Sequence, residues 1–125
     1  MFLVDTNILI WILRGKDEYV NWFDLSSQKH KHSISSITVG EIYQYAFPVE
    51  FERTETLLNK FDIWDVTKAI AKQSGIYWKL YIKTLHSLSL IDCILAATAH
   101  KYDLTVLTLN TKHFPMPDIK VKNPV

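Results

Sequence analysis

Three acids stand in apolar surroundings, where an ionised carboxylate is costly to bury: Asp5 in "LVDTNIL", Glu41 in "TVGEIYQYA" and Asp92 in "LIDCILAA". Each has an ordinary structural explanation. Asp5 precedes an apolar-periodic run and suits a helix N-cap. Thr38-x-x-Glu41 fits a capping box in which Glu41 turns back to the Thr38 N–H, and Ser89-x-x-Asp92 fits the same pattern with the shorter acid. Taken singly, each acid reads as a cap as readily as a ligand. Taken together they pose a chemical problem, because converging carboxylates repel and raise one another's pKa. A bound divalent cation removes that conflict. Oxygen donors without a Cys or His cluster favour a hard ion, Mg²⁺ or Mn²⁺. Such an ion, held by a few carboxylates with waters left on it, is what phosphodiester cleavage needs: it lowers the pKa of a water and neutralises phosphate charge. The chain offers no G-x-x-x-x-G-K, no G-x-S-x-G and no recognisable Cys–His pair as a rival chemistry.

The elements that must position these acids alternate. "FLVD" reads as a short buried strand, followed by a helix from Thr6 to Leu13 with Gly15 as its C-cap and a second helix over Glu18 to Ser27. "HSISS" is a second strand, Thr38 opens a helix that Pro48 stops, "FERTETLLNKF" is a further helix and "DIWDV" a third strand. A long helix spans Thr67 to Leu85, "SLIDCILAATAHKY" is a buried helix, "LTVLTL" the clearest strand and "IKVK" a short edge strand. Alternating strands and helices specify an α/β domain with a mainly parallel sheet, whose ligands bind beyond the strand C-termini. Asp5, Glu41 and Asn110 all follow strands, and Asp92 sits early in the helix before the fourth.

These residues resemble a family. "VDTNILIWIL", "SSITVGEIYQYA", "LIDCILAATAHKYDLTVLTLNTKHF" and "IKVKNP" are similar, in order and over nearly the whole chain, to a PIN domain of the VapC toxin type. The resemblance implies a PIN-like three-layer α/β/α fold with a mainly parallel central sheet of four to five strands, as a single domain over residues 1–125. It implies a metal-dependent endoribonuclease with Asp5, Glu41 and Asp92 as catalytic Mg²⁺ or Mn²⁺ ligands. Thr6, Asn7, Thr108 and Asn110 match the polar residues that support those acids from behind. It further implies a homodimer and a small VapB-like antitoxin whose tail covers the site. One position departs from the pattern: His113 stands where a fourth acid is usual, so one metal is expected, with His113 and its neighbour Lys112 free to meet a phosphate. A plain loop histidine is the equal alternative.

The remaining features are broader. The chain has 125 residues, 48% of them apolar and 22% charged, with a net charge of +1, so bulk charge neither favours nor excludes RNA. Lys68, Lys72, Lys79 and Lys83 fall within an arc of about 60° at 100° per residue, opposite an apolar face of Ile70, Tyr77, Trp78, Tyr81 and Leu85. That stripe suits a phosphate-tracking surface or an ordinary solvated face, and "KHKH" at residues 29–32 is a smaller basic patch of the same ambiguity. Trp11, Trp22, Phe23, Tyr43 and Phe47 form an aromatic surplus available to an interface. Cys93 is the single cysteine, read as a buried, inert thiol; with no membrane span or signal peptide, a cytoplasmic location is expected. Two other function classes remain: a PIN-like module that grips RNA or protein without cutting, favoured by His113, and a Mg²⁺ phosphatase of the haloacid-dehalogenase kind. The latter wants a second Asp where Asn7 stands and is set aside.

Overall fold

In the computed structural model, which describes residues 1–125, the five strands hydrogen-bond in the order β3-β2-β1-β4-β5, every neighbouring pair parallel. They are β1 (Phe2–Val4), β2 (His32–Ser35), β3 (Asp62–Trp64), β4 (Thr105–Leu107) and β5 (Lys120–Lys122). Six helices connect them: α1 (Thr6–Leu13), α2 (Asp17–Ser26), α3 (Ser36–Tyr45), α4 (Phe51–Leu58), α5 (Lys68–Tyr81) and α6 (Leu90–Tyr102). Parallel strands need crossovers, and these helices cover both faces of the sheet. Alternate residues of β1 divide between two cores: Leu3 packs with Ile70, Tyr77 and Leu95 on the α5/α6 side, whereas Val4 packs with Ile8, Phe23 and Ile42 on the other. The expected three-layer α/β/α architecture is present. No helix is long and apolar enough to cross a membrane.

Local chemistry explains the boundaries. Asp5 caps α1 by accepting the Thr6 N–H at 2.7 Å. The helix ends with Arg14 as C-cap; Gly15, expected in that role, follows it at φ +72°, a left-handed conformation that glycine adopts without strain. The third helix differs from the sequence expectation. Ser35 is its N-cap, accepting the Ile37 N–H at 3.2 Å, so the helix begins three residues before Thr38 can cap it. Thr38 lies wholly buried, and the Thr38–Glu41 capping box does not form. The helix ends at Tyr45, and Pro48 starts a separate 3-10 turn, Pro48–Glu50. By contrast, the Ser89–Asp92 box is complete in both directions. The fifth helix stops at Tyr81 rather than Leu85, and Trp78, assigned to its apolar face, is 41% exposed.

β2 is buried throughout although three of its four residues are polar. Ser33 donates to the Phe2 carbonyl at 2.7 Å, and Ser26 Oγ lies 2.9 Å from His32 Nε2, so neither polar group is orphaned. The His32 ring is edge-on to Trp22, Phe23 and Phe61. Burial, with His30 adding repulsion, pushes the His32 pKa below its ordinary 6.5. A lowered pKa means that the unfolded chain binds the extra proton more readily, so stability present at neutral pH is lost as the pH falls below 6.5. His32→Phe keeps the aromatic cluster and removes the titration. Melting temperatures between pH 7 and pH 5 are expected to fall for the wild type and to change less for the variant; parallel curves would exclude His32 as the cause.

Candidate active site

β1 is the central strand, and its carboxyl end is built from three neighbours at once. The Asp5 N–H donates to the Leu107 carbonyl of β4 at 2.9 Å, which continues the ladder one residue past β1 and fixes where the carboxylate begins. Asp5 Oδ1 accepts the Thr6 N–H at 2.7 Å, and Oδ2 accepts the Thr108 hydroxyl at 2.8 Å. Thr108 is fully buried, and its Oγ1 also accepts the Asn110 N–H at 3.1 Å. This explains the Thr-x-Asn spacing: the same hydroxyl shapes the turn after β4 and holds the acid.

Glu41, on α3, reaches α1 instead of its own helix start: Thr6 Oγ1 donates to Glu41 Oε1 at 2.6 Å. One residue thus ties two acids together, with its N–H on Asp5 and its hydroxyl on Glu41. Asp92 is held by the Ser89 N–H at 3.3 Å, and His113 Nδ1 lies 3.6 Å from Asp92 Oδ2. Asp92 keeps only 15% of its side chain exposed and His113 36%, so the pair lies at the rim. Asn7 Oδ1, two residues from Asp5, is buried with no hydrogen-bond partner.

The electrostatics show which groups converge. Burial is the largest influence on Asp5 and raises its pKa above the ordinary 3.8; the Thr108 and Thr6 hydrogen bonds oppose it, while the charges of Asp92 and Glu41 add to it. Glu41 and Asp92 therefore lie near enough to Asp5 for their charges to act on it. The three acids do not form a closed cage, for no three of the chain's His, Cys, Asp and Glu side chains converge closely enough to hold an ion unaided. That arrangement fits a small hard cation, since Mg²⁺ binds through one or two carboxylates and keeps several waters. A cation there would offset both the burial and the mutual repulsion. Cys93, beside Asp92, is buried, and its thiol is pushed up to about 11 by burial and then by the Asp92 charge, which leaves it inert as expected.

The other named residues lie further out. Lys112 and His113 are on the 3-10 turn Thr111–His113, with Lys112 exposed. Of the lysine stripe, Lys68 begins α5 near the carboxyl end of β2, where the Val66 N–H donates to Ser36 Oγ at 3.2 Å. Lys72 and Lys79 follow down the helix, and Lys83 lies beyond its end. What the sequence did not reveal is the Thr6–Glu41 bond; the two residues are 35 positions apart, and only the packing of α1 on α3 brings them together.

A sequence model of the PIN domain matches residues 2–118, and the chain belongs to that family. Within it the chain is of the VapC type. It is 32% identical over 116 residues to ribonuclease VapC10 of Mycobacterium tuberculosis, which covers 93% of this chain and 87% of that protein. It superposes on a toxin–antitoxin complex from Klebsiella pneumoniae with a TM-score of 0.79 and 32% identity, covering 100% of this chain and 98% of that one. VapBC2 from Rickettsia felis, at 20% identity and a TM-score of 0.81 over 98% and 97% of the two chains, shares the fold.

Thr108 is the residue on which Asp5 leans most directly. Thr108→Val keeps the volume but removes a hydrogen bond to a charged group and strands the Asn110 N–H. It is expected to lower unfolding free energy by about 2 kcal/mol in denaturant titration, while Thr108→Ser stays near wild type. Equal stability of Thr108→Val and wild type would show that the bond carries no net weight.

Proposed function

We propose that this protein is a Mg²⁺- or Mn²⁺-dependent endoribonuclease and the toxin of a type II toxin–antitoxin pair. The observation that carries the reading is the desolvated Asp5 carboxylate, held by Thr108 and Thr6 with Glu41 and Asp92 adding charge around it. Asp5, Glu41 and Asp92 are the residues that would hold the cation. When bound, the ion supplies an acidified water and charge neutralisation on the phosphate. The chain's own residues do the positioning. Thr108 and the Thr6 N–H fix both oxygens of Asp5, the Thr6 hydroxyl fixes Glu41, and the Ser89 cap fixes Asp92. Lys112 and His113, on the turn beside Asp92, offer cationic and hydrogen-bonding groups to an incoming phosphate. The absence of a fourth acid at His113 favours one ion over two.

The ribonuclease name of the Mycobacterium tuberculosis relative and the toxin–antitoxin complex from Klebsiella pneumoniae support the same reading. A VapB-like partner would find an apolar landing surface where Tyr45, Phe47 and Val49 are 72%, 71% and 90% exposed, beside a groove of about 490 Å³ between α1, α3 and α4. Of the aromatic surplus, Phe23 is removed from that role because it is a core residue stacked on Phe61. A homodimer and a cytoplasmic location accord with such a toxin. The alternative, a PIN-like module that binds without cutting, rests on His113 alone.

Asp5→Asn is the direct test, because the amide keeps the size and one acceptor of the carboxylate. RNA cleavage in Mg²⁺ or Mn²⁺ is expected to fall by about 100-fold or more, with the circular dichroism spectrum unchanged. The wild-type melting temperature should also rise on adding Mn²⁺, and that of Asp5→Asn should not. Undiminished cleavage by the variant would remove Asp5 from the site, and a wild type that binds Mn²⁺ but cuts no RNA would favour the binding module.

A further inference from the structure

A second concave feature lies on the α2 face of the sheet, and none of the three acids lines it. A groove of about 360 Å³ runs between α2, the loop before β2 and the strands β1, β4 and β5, lined by Phe2, Trp22, Lys29, His30, Leu107 and Lys122 among others, and by no acidic residue. Its direction follows from the register. Lys122 stands opposite Leu107, and Leu107 opposite Val4, the row immediately before Asp5; Phe2 lies two residues lower, opposite His32. The carbonyls of Leu107 and Lys122 accept the N–H groups of Asp5 and Thr108 at 2.9 and 3.1 Å. The groove therefore begins against the strands that carry the acid site and descends the sheet toward His30.

The charged side chains that line it are of one sign. Val121 packs into the α5/α6 core, so strand alternation turns Lys120 and Lys122 to the α1/α2 face. Lys120 is taken by Asp103 at 3.4 Å, but Lys122 and Lys29 belong to none of the chain's four ion pairs. The floor is aromatic: the Phe2 and His30 rings are 4.9 Å apart, and Trp22 closes the side. Unpaired cations and aromatic rings lining one groove, without acids, match a polyanion that carries planar bases, which is the recognition mode of single-stranded nucleic acid.

We propose that this groove is a binding site for single-stranded RNA, taking the segment that flanks the phosphate presented to Asp5, with Lys29 and Lys122 on the backbone and the Phe2, Trp22 and His30 rings against bases. The identity of the occupant rests on the ribonuclease reading; the site itself rests on the groove. It also gives the basic "KHKH" segment a divided role, since Lys29 and His30 line the groove while His32 is core.

The test measures binding apart from cleavage. A fluorescein-labelled, unstructured 12-nucleotide RNA is titrated with the full chain in EDTA and followed by anisotropy. Lys29→Glu with Lys122→Glu is expected to weaken binding about tenfold or more, and the neutral pair Lys29→Gln with Lys122→Gln to reduce the log–log salt slope by about 1.4. His30→Ala should cost about fivefold, and blunt duplex RNA of the same length should bind less well than the single strand. Melting curves of the Gln pair, whose side chains are exposed, check the fold. Wild-type affinity in both lysine pairs, or no RNA binding by the wild type, would overturn the proposal. So would a glutamate-rich peptide that binds with this lysine dependence where RNA does not, since that assigns the groove to an acidic protein segment. Groove-dependent binding in a chain that cuts no RNA with Mg²⁺ or Mn²⁺ would sink the ribonuclease reading and leave the groove standing; cleavage with groove-independent binding would do the reverse.

Discussion

The burial of one carboxylate at the end of the central strand is the constraint around which this domain is arranged. β1 has a neighbour on each side, so Asp5 emerges between two strands rather than at an edge. Its charge is tolerated because two donors point at it, the Thr6 N–H and the Thr108 hydroxyl. Those bonds do not fully offset the loss of water, for the Asp5 pKa remains raised, and the charges of Glu41 and Asp92 push in the same direction. A fold selected for stability alone would place an amide or a threonine there. The unrelieved electrostatic cost is the physical reason for proposing a cation at this end of the sheet.

A capping role does not take a carboxylate out of the proposed site. Asp5 caps α1 and Asp92 completes a capping box with Ser89, and in both cases the cap holds the carboxylate at a fixed point on a helix N-terminus. A helix N-terminus also favours a negative charge, which lowers the cost of keeping these acids ionised. Glu41 follows another route. Because Ser35 caps α3, Glu41 lies in the second turn and projects toward α1, where Thr6 receives it. Thr6 is thus the joint of the site: its main chain serves one acid and its side chain another.

The strand–helix alternation, the parallel sheet and the acids were legible in the sequence, because each depends on short-range patterns: the apolar run ending at Asp5, the box at Ser89, the β-branched "LTVLTL". What was not legible depended on packing. Thr38 looked like a cap because a Thr three residues before a Glu is a real local signal, but the strand ends at Ser35 and the helix starts at once. "HSIS" is a fully buried strand with little apolar content, acceptable only because Ser33 and His32 find partners on β1 and α2. Trp78 and the lysines of α5 had the spacing of two clean helical faces, yet α5 ends at Tyr81 and packs chiefly on α6, so the arc seen on a wheel is longer than the helix that bears it. Periodicity gives the direction of a side chain, and only the neighbouring element decides whether that direction is inward.

A net charge of +1 conceals a strong separation of surfaces. Three acids stand at the carboxyl end of the sheet, unpaired cations and aromatic rings line the groove on its α2 face, and exposed Tyr45, Phe47 and Val49 stand on the α3 side. These surfaces use three different physical principles, and each would be weakened by mixing with the others. A lysine paired with one of these acids would neutralise it and compete with a cation, and none of the chain's ion pairs is of that kind. Acids within the groove would cancel its attraction for a polyanion. Charges on the apolar patch would raise the cost of covering it. The two lysines of β5 differ in the same way: Lys120 has Asp103 beside it, whereas Lys122, on the strand next to β4, belongs to no ion pair. Placement, rather than composition, therefore determines what this small domain can recognise.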